Sequence, residues 1–150
     1  SALCRAFGPQ VMDADAIIKH LDLQPHPEGG WYRQTHIDDA KPRAHGTCIY
    51  FLLKAGESSH WHKVDATEIW HYYAGAPLIL SLSKTDAGPA SEHLLTPDLT
   101  EGAPQLIVPI HHWQKAKTTG AFTLVGCTVS PGFSFDGFTL ATPEFDIPNE

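Results

Sequence analysis

The chain has 150 residues, with 10 Lys+Arg against 17 Asp+Glu and a formal charge of −7. That length supports one globular domain with a real core and leaves no room for a second. The acidic balance, with only three Arg, excludes the basic footprint that nucleic-acid binding requires. The longest apolar run, Cys48, Ile49, Tyr50, Phe51, Leu52 and Leu53, is too short to cross a bilayer. No charged segment followed by an apolar stretch and a cleavage site is visible. The three cysteines (4, 48 and 127) are odd in number and widely spaced, which predicts free thiols and a reducing, cytoplasmic setting.

In chain order, a helix comes first. Asp13 suits an N-cap, and Ala14, Ile17, Ile18 and Leu21 follow at i, i+3, i+4 and i+7. Beyond residue 23 the helical period disappears. Short apolar or alternating segments predict strands over 31–35, 47–53, 59–63, 69–73, 78–83, 93–95, 105–108, 114–117, 122–129 and 133–140. Turn signals rich in Gly, Pro and Asp separate them, as at Gly75-Ala76-Pro77 and Pro131-Gly132. Many short strands with frequent turns predict an all-β sandwich or barrel. The acidic tail, residues 144–150, is expected to hang loose.

Ten histidines are the unusual count. His60 and His62 in one strand are expected on one face, because the side-chain period is two. Glu68 follows after a turn-length gap and is expected opposite them on the next strand. Two imidazoles and a carboxylate suit Zn, Fe, Mn, Ni or Cu, and the residues do not choose among these. Trp61, Trp70 and Trp113 lie inside or beside the histidine-bearing segments, as the aromatic walls of a small-molecule pocket would. Phe51, in the apolar strand 47–53, is a further candidate wall. Tyr72 shares phase with Glu68 and is a candidate proton donor. His71 is out of phase with Glu68, and Cys48 and Cys127 read as inert buried thiols. His26, between two prolines, reads as structural.

Two segments carry a resemblance. Gly56, His60, His62, Glu68 and Gly75, with Gly102, Pro109 and Gln114, resemble the paired motifs of the cupin superfamily. His111 stands where the second motif has glycine, and Gln114 stands where it has its metal histidine. The likeness extends to a branch of unestablished function through Pro25-His26-Pro27-Glu28-Gly29-Gly30-Trp31-Tyr32-Arg33-Gln34-Thr35, Glu68-Ile69-Trp70-His71-Tyr72-Tyr73-Ala74-Gly75 and Leu124-Val125-Gly126-Cys127-Thr128-Val129-Ser130-Pro131-Gly132-Phe133. This resemblance implies a double-stranded β-helix, the cupin jelly roll, with a short N-terminal helix, a core over about residues 23–142, and a homodimer. In that branch the His62 and Glu68 positions look typical and the His60 position variable.

Three chemistries follow from the resemblance. The first is isomerase or epimerase action on a sugar, sugar phosphate or nucleotide sugar. There His62 is the candidate base, oriented by Glu68, or else a divalent metal held by His60, His62, Glu68 and Gln114 polarises the carbonyl. These two roles of His62 exclude each other. Arg33 is the candidate clamp for a phosphate or carboxylate. The second is metal-dependent oxidation of a small molecule. The third is a metal-free module that binds a small ligand without chemistry.

Overall fold

The computed structural model describes residues 12–150. The first element is the helix α1 (Ala14–Leu21), capped by Asp13, whose side chain accepts the Ala16 N–H. Asp22 ends it in the left-handed conformation, and its N–H closes back on Ile18 and Lys19. Ile17, Leu23 and Leu52 form the seam that fixes α1 against the outside of the barrel.

Eleven strands follow among the described residues: β1 (Gln24–Pro25), β2 (Trp31–Ile37), β3 (Thr47–Lys54), β4 (Ser58–Val64), β5 (Thr67–Gly75), β6 (Leu78–Ser83), β7 (Ser91–Leu95), β8 (Gln105–Val108), β9 (Trp113–Thr118), β10 (Phe122–Ser130) and β11 (Phe138–Leu140). They form two antiparallel sheets, ordered β1-β2-β3-β10-β5-β8 and β11-β4-β9-β6-β7. Both sheets send side chains into one core, with Phe51, Leu53, Trp70 and Val125 from the first and Leu78, Leu80, Leu95 and Ala116 from the second. This two-sheet jelly roll is the expected all-β architecture with its short helix.

Three expectations change. β1 is too short to show a period, and only its pairing with β2 reveals it. The predicted strand over 133–140 is mostly a loop with a single 3-10 turn, Phe135–Gly137, before β11. Ser134 and Asp136 favour that local turn over a ladder. The tail does not hang loose. Ile147 is buried with Trp61, Ala90 and Trp113, Asp146 accepts the Trp61 indole N–H at 2.8 Å, and Asn149 bridges to Ala90. Cys48 and Cys127 are free thiols, while Cys4 lies outside the described residues. No described helix is long and apolar enough to cross a membrane.

Candidate active site

The site begins in the loop before β2. The turn closes through His26 N–H to the Gly30 carbonyl and Gly29 N–H to the His26 carbonyl. Gly29 and Gly30 have φ of +105° and +78°, a region that favours glycine. A Cβ on Gly29 would collide with the Ser58 carbonyl oxygen. The loop can therefore lie flat on β4, where the Glu28 carbonyl accepts the His60 N–H at 2.8 Å. Its side chain is thereby carried into the barrel. Glu28 Oε2 accepts from Ser59 Oγ at 2.8 Å and from His62 Nδ1 at 2.7 Å.

His62 is 2% exposed. Its Nδ1–H also reaches the His60 carbonyl at 2.8 Å, so Nε2 is the ring atom left for a ligand. Opposite, Glu68 on β5 is held from behind. Gln114 Nε2 donates to Glu68 Oε1 at 2.7 Å, and Gln114 Oε1 accepts the Trp70 indole N–H at 2.8 Å. His26, Glu28, His62, Glu68 and Cys127 line a cleft of about 130 Å³. Its apolar side includes Phe133, Phe135 and Phe138, whose rings meet edge to face at 4.9–5.9 Å.

Burial sets the electrostatics of this cluster, and the charges modify it. Burial alone would lower the pKa of His62, but the Glu28 carboxylate and its hydrogen bond raise it to about 9. Burial raises Glu68 to about 7, against the opposing pull of the His62 charge. Burial also pushes Glu28 up, yet the charge and hydrogen bond of His62 outweigh it and leave Glu28 below its ordinary value. His26 is lowered by burial. Its Nδ1 accepts the Glu28 backbone N–H at 3.1 Å, so the ring is neutral with its proton on Nε2. The 3.4 Å approach of His26 to Glu28 Oε1 is therefore not an ion pair. Cys127 is held well above its ordinary value by burial and by the nearby carboxylates.

The structure brings His62, Glu68 and Gln114 together, and turns His60 away. β4 is irregular between Ser59 and His62, so Ser59 and His62 both reach Glu28, and the expected period of two fails. The His60 ring instead meets the Thr142 carbonyl at 2.8 Å. Trp61 and Trp113 face the outer side, under the C-terminal segment. Trp70 and Phe51 lie in the packed core: Trp70 supports Gln114, and Phe51 stacks edge-on against His26. Tyr72 faces inward, but its hydroxyl donates to the Gly75 carbonyl. It is four residues from Glu68, about 13 Å along the strand. Arg33 points outward and donates to the Leu21 carbonyl at 2.9 Å, closing the end of α1. None of Trp61, Trp70, Trp113, Phe51, Tyr72 or Arg33 is among the residues that line the cleft. His71 lies on the outer face against Thr128.

His26, Glu28, Tyr32, Gln34 and Cys127 line the cleft without having been singled out for it. Two signals for them exist in the chain. A carboxylate and an imidazole fixed between Pro25, Pro27 and the Gly29-Gly30 pair form a rigid loop beside a strand. Cys127 shares its inward phase with Val125 and Val129 in β10.

The metal expectation depends on four ligands, and these do not assemble. His60 is outside. The Gln114 carbonyl oxygen is already bonded to Trp70, and its other atom is a donor. Among the described residues, no group of three or more His, Cys, Asp or Glu is arranged to hold a metal ion.

The two-sheet barrel, with a polar cleft at one end of its core, defines a cupin-type jelly roll. A family model described as "Cupin superfamily (DUF985)" matches residues 15–141, and the chain belongs to that family. A solved protein from Shewanella oneidensis is 37% identical, with 88% of this chain and 86% of that one covered and a TM-score of 0.83. A hypothetical protein from Leishmania major is 30% identical over 87% and 88%, with a TM-score of 0.75. Oxalate decarboxylase from Bacillus subtilis shares the fold at 12% identity, over 80% of this chain and 30% of that one, with a TM-score of 0.62. That enzyme has Mn(II) centres. No curated protein matches the chain.

Proposed function

We propose that this cupin is a proton-transfer enzyme acting on a small carbonyl compound, in the manner of an isomerase. The observation that carries this is Glu68, a carboxyl group facing the cleft and tuned to about 7, with a charged imidazole beside it. A group titrating near working pH can both take and return a proton. The reading exchanges the roles expected of the pair. His62, protonated up to about 9, is no base at neutral pH. Its Nε2–H instead donates to the substrate carbonyl oxygen.

In the proposed step, Glu68 takes the proton from the carbon next to the carbonyl. The C–H electron pair becomes the enolate, whose oxygen is held by His62. Glu68 then returns the proton from the same side, either to the carbon it left or, where that carbon carries a hydroxyl whose proton passes to His62 as His62 protonates the enolate oxygen, to the former carbonyl carbon, so no oxidant or reductant is consumed. Glu28 keeps His62 charged, and Gln114 fixes the Glu68 carboxyl. The displacement of His60 removes support from the metal-dependent oxidation reading. The homodimer remains part of the proposal.

Deuterium uptake from D₂O into a panel of carbonyl compounds tests the reading. Uptake should rise as pH passes about 7, where Glu68 becomes a base, and fall above about 9, where His62 loses its proton. Glu68→Gln should lower it at least ~100-fold. Ligand binding with no uptake at any pH would leave a binding module instead.

A further inference from the structure

The lining of the cleft also speaks to what it takes. Resting on the proton-transfer reading, we propose that the compound is uncharged and phosphate-free, with its carbonyl at the buried end and an apolar flank against Phe133, Phe135 and Phe138.

Charge argues first. No Lys or Arg is among the described residues that line the cleft. Its one cation, His62, is already paired with Glu28 at 2.7 Å, and Glu68 is a second carboxyl. A phosphate or carboxylate brought here would meet two acids and, among the described residues, no free cation. Phosphate sites are built from Arg forks, Lys or helix N-termini, and among the described residues only the single 3-10 turn Phe135–Gly137, and no α-helix, begins at this cleft. The nearby Arg43 is committed elsewhere. It grips Asp65 at 2.7 and 3.0 Å and the Gly132 carbonyl at 2.7 Å.

The apolar side argues second. Phe135 is 55% exposed beside the cleft, packed only edge-on against Phe133 and Phe138. Phe138 also lies 5.5 Å from the His62 ring, so the aromatic wall continues down to the charged group. Ile49, Val64 and Val129 extend it. An exposed aromatic next to a cavity is a surface that a ligand can cover. A polyol would leave that surface wet and bring hydroxyls with no partners there. An organic cation would gain from the carboxyls but would be set against the imidazolium of His62.

A matched set of probes separates these classes by calorimetric titration. Benzylacetone is the uncharged compound. Its α-keto acid counterpart, with carboxylate in place of methyl, is the anion, and its amine counterpart is the cation. Dihydroxyacetone and its phosphate represent the polyol and the phosphate. Benzylacetone should bind best, at least tenfold more tightly than each of the others. Phe135→Ala, at an exposed position where folding is not at stake, should weaken it about tenfold. Tighter binding of the acid, amine or phosphate, or indifference to Phe135→Ala, would overturn the proposal, as would no binding of benzylacetone. The two readings fail separately. Benzylacetone bound through Phe135 without deuterium uptake defeats proton transfer alone. Uptake into dihydroxyacetone phosphate without benzylacetone binding defeats this substrate class alone.

Discussion

His62 is charged because of a residue 34 positions before it, and no neighbour in its own strand predicts this. Glu28→Gln removes the counter-charge and leaves an imidazolium buried without compensation. Such a loss costs roughly 3 kcal/mol. The His62 pKa should fall from about 9 toward or below its ordinary value. A proton NMR titration of the ring and a urea unfolding curve would measure the two effects. The pH at which deuterium uptake declines should fall with it. At this scale the sequence is informative about His62 and Glu68, because the motif spacing puts them on the consecutive strands β4 and β5, which belong to the two facing sheets rather than pairing with each other. It misleads about His60, because one irregularity in β4 reverses the direction of a side chain, and spacing alone does not reveal irregularities. It also misleads about Arg33, where the strand is right and the face is wrong. β2 offers Tyr32 and Gln34 to the cleft and leaves Arg33 to close the helix.

Among the elements, the loop before β2 and the C-terminal segment do work that their composition hides. Gly29→Ala places a Cβ against the Ser58 carbonyl in a backbone region unsuited to alanine. It should lift the loop off β4 and withdraw Glu28, with a stability loss of at least ~1 kcal/mol and a fall in deuterium uptake. The Gly-Gly pair reads as a turn in the sequence, and only the docked loop shows why the turn is there. Removing residues 143–150 should have the opposite profile. Trp61 loses its Asp146 acceptor, and Ile147 and Phe145 leave the outer cluster. Thermal unfolding should drop by roughly 3 kcal/mol equivalent, with uptake unchanged per folded molecule. An acidic, Pro-containing tail carries no periodicity, so its packing is invisible until the outer tryptophans that it covers are in view. The strands and the helix were legible almost throughout, because alternation and capping are local.

For the whole molecule, the cleft couples folding to pH. Glu68 is raised from 4.5 to about 7, so its neutral form is the one the fold prefers, and stability falls as pH rises across that interval. His62 is raised from 6.5 to about 9, so its contribution is complete below 6.5 and lost as pH passes 9. Both slopes have the same sign. Glu28, shifted the other way, loses its contribution as pH falls through the carboxylate range. Unfolding midpoints should therefore decline from mildly acidic to alkaline pH, and Glu68→Gln should flatten the part of that decline between about 4.5 and 7. The bond between Trp70 and Gln114 has one more consequence. An indole N–H can only donate, so the Gln114 amide cannot turn over, and its NH₂ always faces Glu68 Oε1. The acidic proton of Glu68 is thereby confined to Oε2. A hydrogen delivered from one oxygen of one wall reaches a single prochiral face of the bound carbon, so exchanged product should carry its deuterium in one stereochemical configuration.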